Sequence, residues 1–117
     1  MQYLLMLHAE EGQWSKMSAD EQAQGMAAYN AFTQSLNDSG RLVASGRLAL
    51  SDTAQTVRTK GGKTVVMDGP FAETKEQVAG FYLIEAEDPA AAAAWAARCP
   101  AAGHGVVEVR PTWPSAA

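Results

Sequence analysis

Two runs in this chain are apolar at consecutive positions: Tyr3-Leu4-Leu5-Met6-Leu7 near the start and Val78-Ala79-Gly80-Phe81-Tyr82-Leu83-Ile84 further on. Side chains alternate across a strand, so a strand with no polar alternation asks for cover on both faces. Only two other segments carry helical spacing, and two helices cover one face of a sheet. The remaining face has no cover within the chain. An apolar sheet face of that extent invites association, so a second copy of the chain is the expected cover.

The rest of the chain fills in this plan. Gln2 to His8 reads as a strand, followed by a polar stretch from Ala9 to Met17. Ser18-Ala19-Asp20-Glu21 has the form of a capping box, in which serine and glutamate satisfy free N–H groups at a helix start. That helix is expected to run to about Ser39, with Ala23, Met26, Tyr29, Phe32 or Thr33, and Leu36 on one face. Gly40 is placed to end it. Arg41 to Leu50 reads as a strand interrupted by Gly46. Ala54 to Lys60 and Lys63 to Met67 flank Gly61-Gly62, a two-residue hairpin signal. Gln77 to Ala86 is the next strand. Asp88-Pro89 starts a helix over Ala90 to Arg98, and Pro100 stops it. Gly103-His104-Gly105 reads as a loop and Val106 to Arg110 as the last strand, with 111–117 a C-terminal tail. Two β-α-β units with a hairpin between them predict an α+β, ferredoxin-like sandwich: one domain over 1–117, with two helices on one sheet face.

Composition excludes several classes. At 117 residues the chain can bury about two-thirds of its unfolded surface, enough for one core without metal or disulfides. A net charge of −4, with nine scattered Lys and Arg, argues against nucleic acid as a partner. Cys99 is the one cysteine, so no internal disulfide forms and no cysteine-rich zinc site is expected. His8 and His104 have no metal-ligand spacing, and no cofactor is expected. Gly61-Gly62 lacks the P-loop pattern, and Gly-x-Ser-x-Gly is absent. No run reaches the roughly 18 apolar residues of a membrane span, and the start lacks the basic residues and length of a secretory leader. A cytoplasmic location follows as the expectation.

Between the two apolar segments lies Asp68-Gly69-Pro70-Phe71-Ala72-Glu73-Thr74-Lys75-Glu76-Gln77, a charged loop with a rigid Gly-Pro corner. This stretch resembles the signature of the DGPF-motif, YCII-related proteins. The opening Met1 to Leu7, the segment Trp95-Ala96-Ala97-Arg98-Cys99-Pro100 and the segment Val107-Glu108-Val109-Arg110-Pro111 resemble the same family. The resemblance implies a dimeric, ferredoxin-like fold of the dimeric α/β-barrel type, and no particular reaction. Relatives include a dehydrochlorinase with a His–Asp pair, which does not map by motif onto this chain. Others on the same fold are lactone isomerases and monooxygenases, and DGPF proteins are associated with extracytoplasmic-function sigma factors.

The candidate residues follow from chemistry. Asp68 either caps its own turn or serves as a fixed acid or base, with Glu73 and Lys75 contacting a ligand. On the structural reading, Phe71 plugs a core or dimer contact. His8 shares strand parity with Leu4 and Met6, and Glu108 and Arg110 share a face with it if that face lies opposite the helices. A histidine beside a carboxylate handles protons near neutral pH, and Arg47 or Arg110 matches an anionic substrate. The residues thus support a small-molecule enzyme or binder for an anionic or aromatic metabolite at a cleft near the dimer interface, and the enzymes related to the resembled family make lyase- or isomerase-type chemistry the expectation. The alternative is a regulatory or protein-interaction module.

Overall fold

The computed structural model describes residues 1–114. It contains strand β1 (Gln2–Glu10), helix α1 (Ala19–Asp38), β2 (Leu42–Arg47), β3 (Gln55–Lys60), β4 (Lys63–Asp68), β5 (Glu76–Glu85), α2 (Pro89–Arg98), α3 (Ala101–His104) and β6 (Val106–Pro111). Single 3-10 turns lie at Trp14–Lys16 and Ser51–Thr53. The main sheet has the order β2-β5-β1-β6, with every neighbouring pair antiparallel. This α+β arrangement, with β1 and β5 central, is compatible with a ferredoxin-like sandwich. The hairpin β3–β4 forms a separate two-stranded sheet.

The helix starts form as their residues dictate. Ser18 Oγ accepts from the Glu21 N–H at 3.1 Å, and the Glu21 carboxylate accepts from the Ser18 N–H at 3.0 Å. Those bonds favour the ionised form and hold the Glu21 carboxyl below its usual range. Asp88 Oδ1 caps α2 by accepting from the Ala91 N–H at 2.8 Å. At the hairpin tip Gly61 and Gly62 both take positive φ, as a two-residue hairpin turn requires.

All helices lie on the sheet face that carries Tyr3, Leu5, Leu7, Tyr82 and Ile84, and these pack with Phe32, Leu36, Ala92, Ala96 and Cys99. Tyr3, Leu5, Leu36 and Ile84 are fully buried. Each such aliphatic side chain contributes about 1.5–3 kcal/mol by leaving water. Thr33 and Tyr82 hydroxyls meet at 2.8 Å beneath the helices, and the Phe32 and Tyr82 rings contact edge to face.

Three sequence expectations need correction. The apolar stripe of α1 is buried only over its second half: Phe32 and Leu36 are in the core, whereas Ala23 and Met26 are exposed. The first half lies instead against Trp14 and Arg47. The Gly103–Gly105 segment is largely helical, because Pro100 starts a new short turn rather than a loop. Strand β2 ends at Arg47, short of Leu50, as the chain leaves the edge of the sheet toward the 3-10 turn.

Candidate functional site

The sheet face opposite the helices carries Leu4, Met6 and His8 from β1, Phe81 and Leu83 from β5, and Val106, Glu108 and Arg110 from β6. The register fixes this: Met6 pairs with both Phe81 and Glu108, and Leu4 with both Leu83 and Arg110. The sequence parity therefore places His8, Glu108 and Arg110 on one face. His8 Nε2 lies 3.3 Å from Glu108 Oε1, and Glu108 Oε2 accepts from Arg110 Nη2 at 2.6 Å. One carboxylate thus lies between an imidazole and a guanidinium and is hydrogen-bonded to the guanidinium. Nε2 is shielded from solvent and meets Glu108 off the hydrogen-bonding direction, so it lacks a hydrogen-bond partner. Imidazole and carboxylate are thus adjacent without a hydrogen bond between them.

Two backbone features set His8. A bulge falls between Leu7, opposite Gly80, and His8, opposite Val78, so Ala79 is the extra residue on β5. Bulges re-aim side chains and are common beside functional sites. On the other side, Gly105 lies against the His8 carbonyl: a Cβ at 105 would stand 2.1 Å from that oxygen. The turn between α3 and β6 can approach β1 this closely only with glycine there.

Asp68 is elsewhere. With Glu11, Asp52, Glu73, Ser51, Thr74 and Gln77 it lines an open cleft of about 370 Å³. Glu11 is engaged there, accepting from the Ser51 N–H at 2.6 Å and the Ser51 hydroxyl at 2.5 Å. Among the described residues no cluster of His, Cys, Asp and Glu is arranged to hold a metal ion, this cleft included. Lys75 does not line the cleft; its ammonium reaches Glu10 at 4.0 Å and is largely exposed. No hydrogen bond or ion pair among the described residues joins Asp68 to His8.

The loop from Asp68 to Gln77 is tied to the base of β3 at Gly69 and braced internally at Gln77. Gly69 takes φ +106, donates its N–H to the Ala54 carbonyl at 2.7 Å and accepts from the Thr56 hydroxyl at 2.8 Å. The Gln77 amide donates to the Ala72 and Thr74 carbonyls. Phe71 is 79% exposed, with the Arg58 guanidinium 5.5 Å from its ring centre. It plugs no core within the chain.

Arg47 lies on the opposite sheet face from His8, in register with Gly80 and Leu7. Its guanidinium sits 5.2 Å over the Trp14 ring. Nearby, the Tyr29 hydroxyl and His104 Nε2 are 3.1 Å apart. Burial pushes the Tyr29 phenol up to about 12, with Cys99 and Tyr82 adding to the shift and Arg47 opposing it. Burial also raises the Cys99 thiol, which leaves it a poor nucleophile. The sequence reading missed Trp14 and the Tyr29–His104 pair. Trp14 left one signal: Gly25 in the middle of a helix, a costly residue there unless something packs against it.

The chain is 40% identical over 85 residues to an uncharacterized protein of Rhizobium meliloti (strain 1021), a match covering 73% of this chain and 68% of that one. The model of the YCII-related domain matches residues 1–116. By its sequence along nearly its whole length, this chain belongs to the YCII-related domain family.

Proposed function

We propose that the protein is a homodimeric, DGPF-type YCII-related protein that binds an anionic or aromatic small metabolite at the rim of the dimer interface. His8 handles the proton, the Glu108 carboxylate supplies a counter-charge to the protonated ring, and Arg110 attracts the anion. The observation that carries this reading is the His8–Glu108–Arg110 chain at the margin of an uncovered apolar sheet face. Lyase or isomerase chemistry fits a single proton-handling histidine beside an anion anchor. Asp68 and Glu73, in a cleft of carboxylates, are placed for a cationic or hydroxyl-bearing part of a ligand rather than an anionic one.

Exposed surface supports the dimer. The chain exposes 8012 Å², about 1,900 Å² more than a compact monomer of 12.4 kDa. Its radius of gyration is 16.3 Å, against about 13 Å for a compact chain of this length. A standard interface removes about 800 Å² from each partner, and obligate dimers remove more. Leu4, Met6, Phe81 and Leu83 on the open face, with Val57, Val65 and Met67 on the hairpin, are the apolar side chains a second copy would cover.

An NMR titration of the full chain with benzoate and malonate tests the site. Saturable shifts of the His8 ring protons and the Arg110 side chain, lost in Arg110→Gln, are the expected result. Unchanged His8 and Arg110 signals in the wild type contradict it. A second reading, a non-catalytic regulatory or interaction module, rests on the exposed hairpin and Phe71. It predicts no small-molecule response at His8, and it matches the sigma-factor association that the DGPF resemblance implies.

A further inference from the structure

On the helix side of the sheet, away from His8, a cleft of about 430 Å³ is lined by Gly12, Trp14, Ser15, Arg47, Leu48, Ala49 and Leu50. That volume is in the range of small-molecule sites, which combine apolar walls with a few polar groups. Here the walls are the Trp14 indole and the Leu48 and Leu50 side chains, which are 47% and 59% exposed. The single cation is Arg47. Among the described residues it forms no ion pair; its contacts are the Trp14 ring and the Met26 sulfur at 4.0 Å.

The indole wall is held in place. Trp14 lies on α1 at Gly25, where a Cβ would come within 3.0 Å of the ring. Glycine in a helix interior costs about 1 kcal/mol relative to alanine. The contact with Trp14 gives that cost a structural reason. The Gln22 amide donates to the Trp14 carbonyl at 2.9 Å and pins the same turn to α1. Arg47 extends from the end of β2, where it is paired with Gly80. A fixed aromatic wall, an unpaired guanidinium and exposed leucines therefore meet at one opening.

We propose that this cleft is a second small-molecule site that takes a carboxylate with a flat apolar body, the carboxylate on Arg47 and the body between Trp14 and the leucines. Guanidinium and carboxylate match as paired donors and acceptors, and an aromatic body gains contact with the indole. The site is independent of the His8 face, since Arg47 and His8 project from opposite sides of the sheet.

The test is amide-detected NMR on the full chain with 1-naphthoate and its neutral counterpart 1-naphthalenemethanol. Saturable shifts are expected at Gly12, Ser15, Leu48, Leu50 and the Trp14 indole, with naphthoate at least tenfold tighter than the alcohol. Arg47→Gln should remove that preference, a loss of roughly tenfold to hundredfold for the acid alone. Arg47→Lys keeps the charge and should retain part of the preference, which separates lost recognition from lost folding. Gly25→Ala displaces the indole and should weaken both probes, while His8→Ala should change neither. Equal binding of acid and alcohol, a preference that survives Arg47→Gln, or no shifts at these residues at millimolar probe would overturn the proposal.

Discussion

The stretch from Val43 to Ala79 contrasts with the rest of the chain. Within it no residue is buried, whereas Tyr3 to Leu36 and Gly80 to Ala101 supply the buried residues among those described. One region is held by apolar packing between a sheet and its helices. The other is held by backbone bonds, those of β2 along β5 and of the β3–β4 hairpin, and by local anchors such as Gly69 on Ala54 and Ser51 on Glu11. An isolated hairpin is marginal in water. Val57, Val65, Val66, Met67 and Phe71 are nevertheless exposed there. The contrast teaches that the first region carries the apolar core of the chain, while the second keeps its apolar side chains in solvent.

Substitutions can break that contrast. Leu36→Ala, in the core, should cost about 2–5 kcal/mol in denaturant unfolding. Val66→Ala, in the hairpin, should change the stability of the isolated chain by no more than about 0.5 kcal/mol. Equal costs at high dilution would erase the distinction between the two regions. Gly69→Ala forces a side chain into φ +106 and should cost about 1–3 kcal/mol, felt as loosening of the hairpin base. Ser18→Ala removes the α1 cap at about 1 kcal/mol, read as faster amide exchange in the first turns of α1.

The mildest effect is alkaline. The folded-state value of Tyr29 lies near 12, above its ordinary value of about 10. Its neutral form therefore supports the fold fully below pH of about 10, and that support is lost as pH rises toward 12. Denaturation midpoints should fall across that window, and Tyr29→Phe should flatten part of the fall. A midpoint that rises with pH there would reverse the sign.

Much of this was legible in sequence where a local rule decides the outcome. Ser18 and Glu21, Asp88 and Pro89, and Gly61-Gly62 set their caps and turn from a few adjacent atoms. Strand parity placed His8, Glu108 and Arg110 on one face, because β1 and β6 pair without a register shift over these positions. Parity did not show that Glu108 would touch both neighbours, since that depends on rotamers and on the bulge at Ala79. The exposed first half of α1 was hidden because Ala23 and Met26 fit the apolar stripe; what lies beneath them depends on where Trp14 returns. The loop from Asp68 to Gln77 was readable as a corner, yet its separation from His8 is a matter of long-range geometry.

The open sheet face carries the central claim, and the mass of the protein in solution tests it most directly. Sedimentation equilibrium at micromolar concentration should give twice the 12.4 kDa chain mass, and Phe81→Glu should return a folded single chain. A wild-type protein that sediments as one 12.4 kDa chain at that concentration would contradict the account.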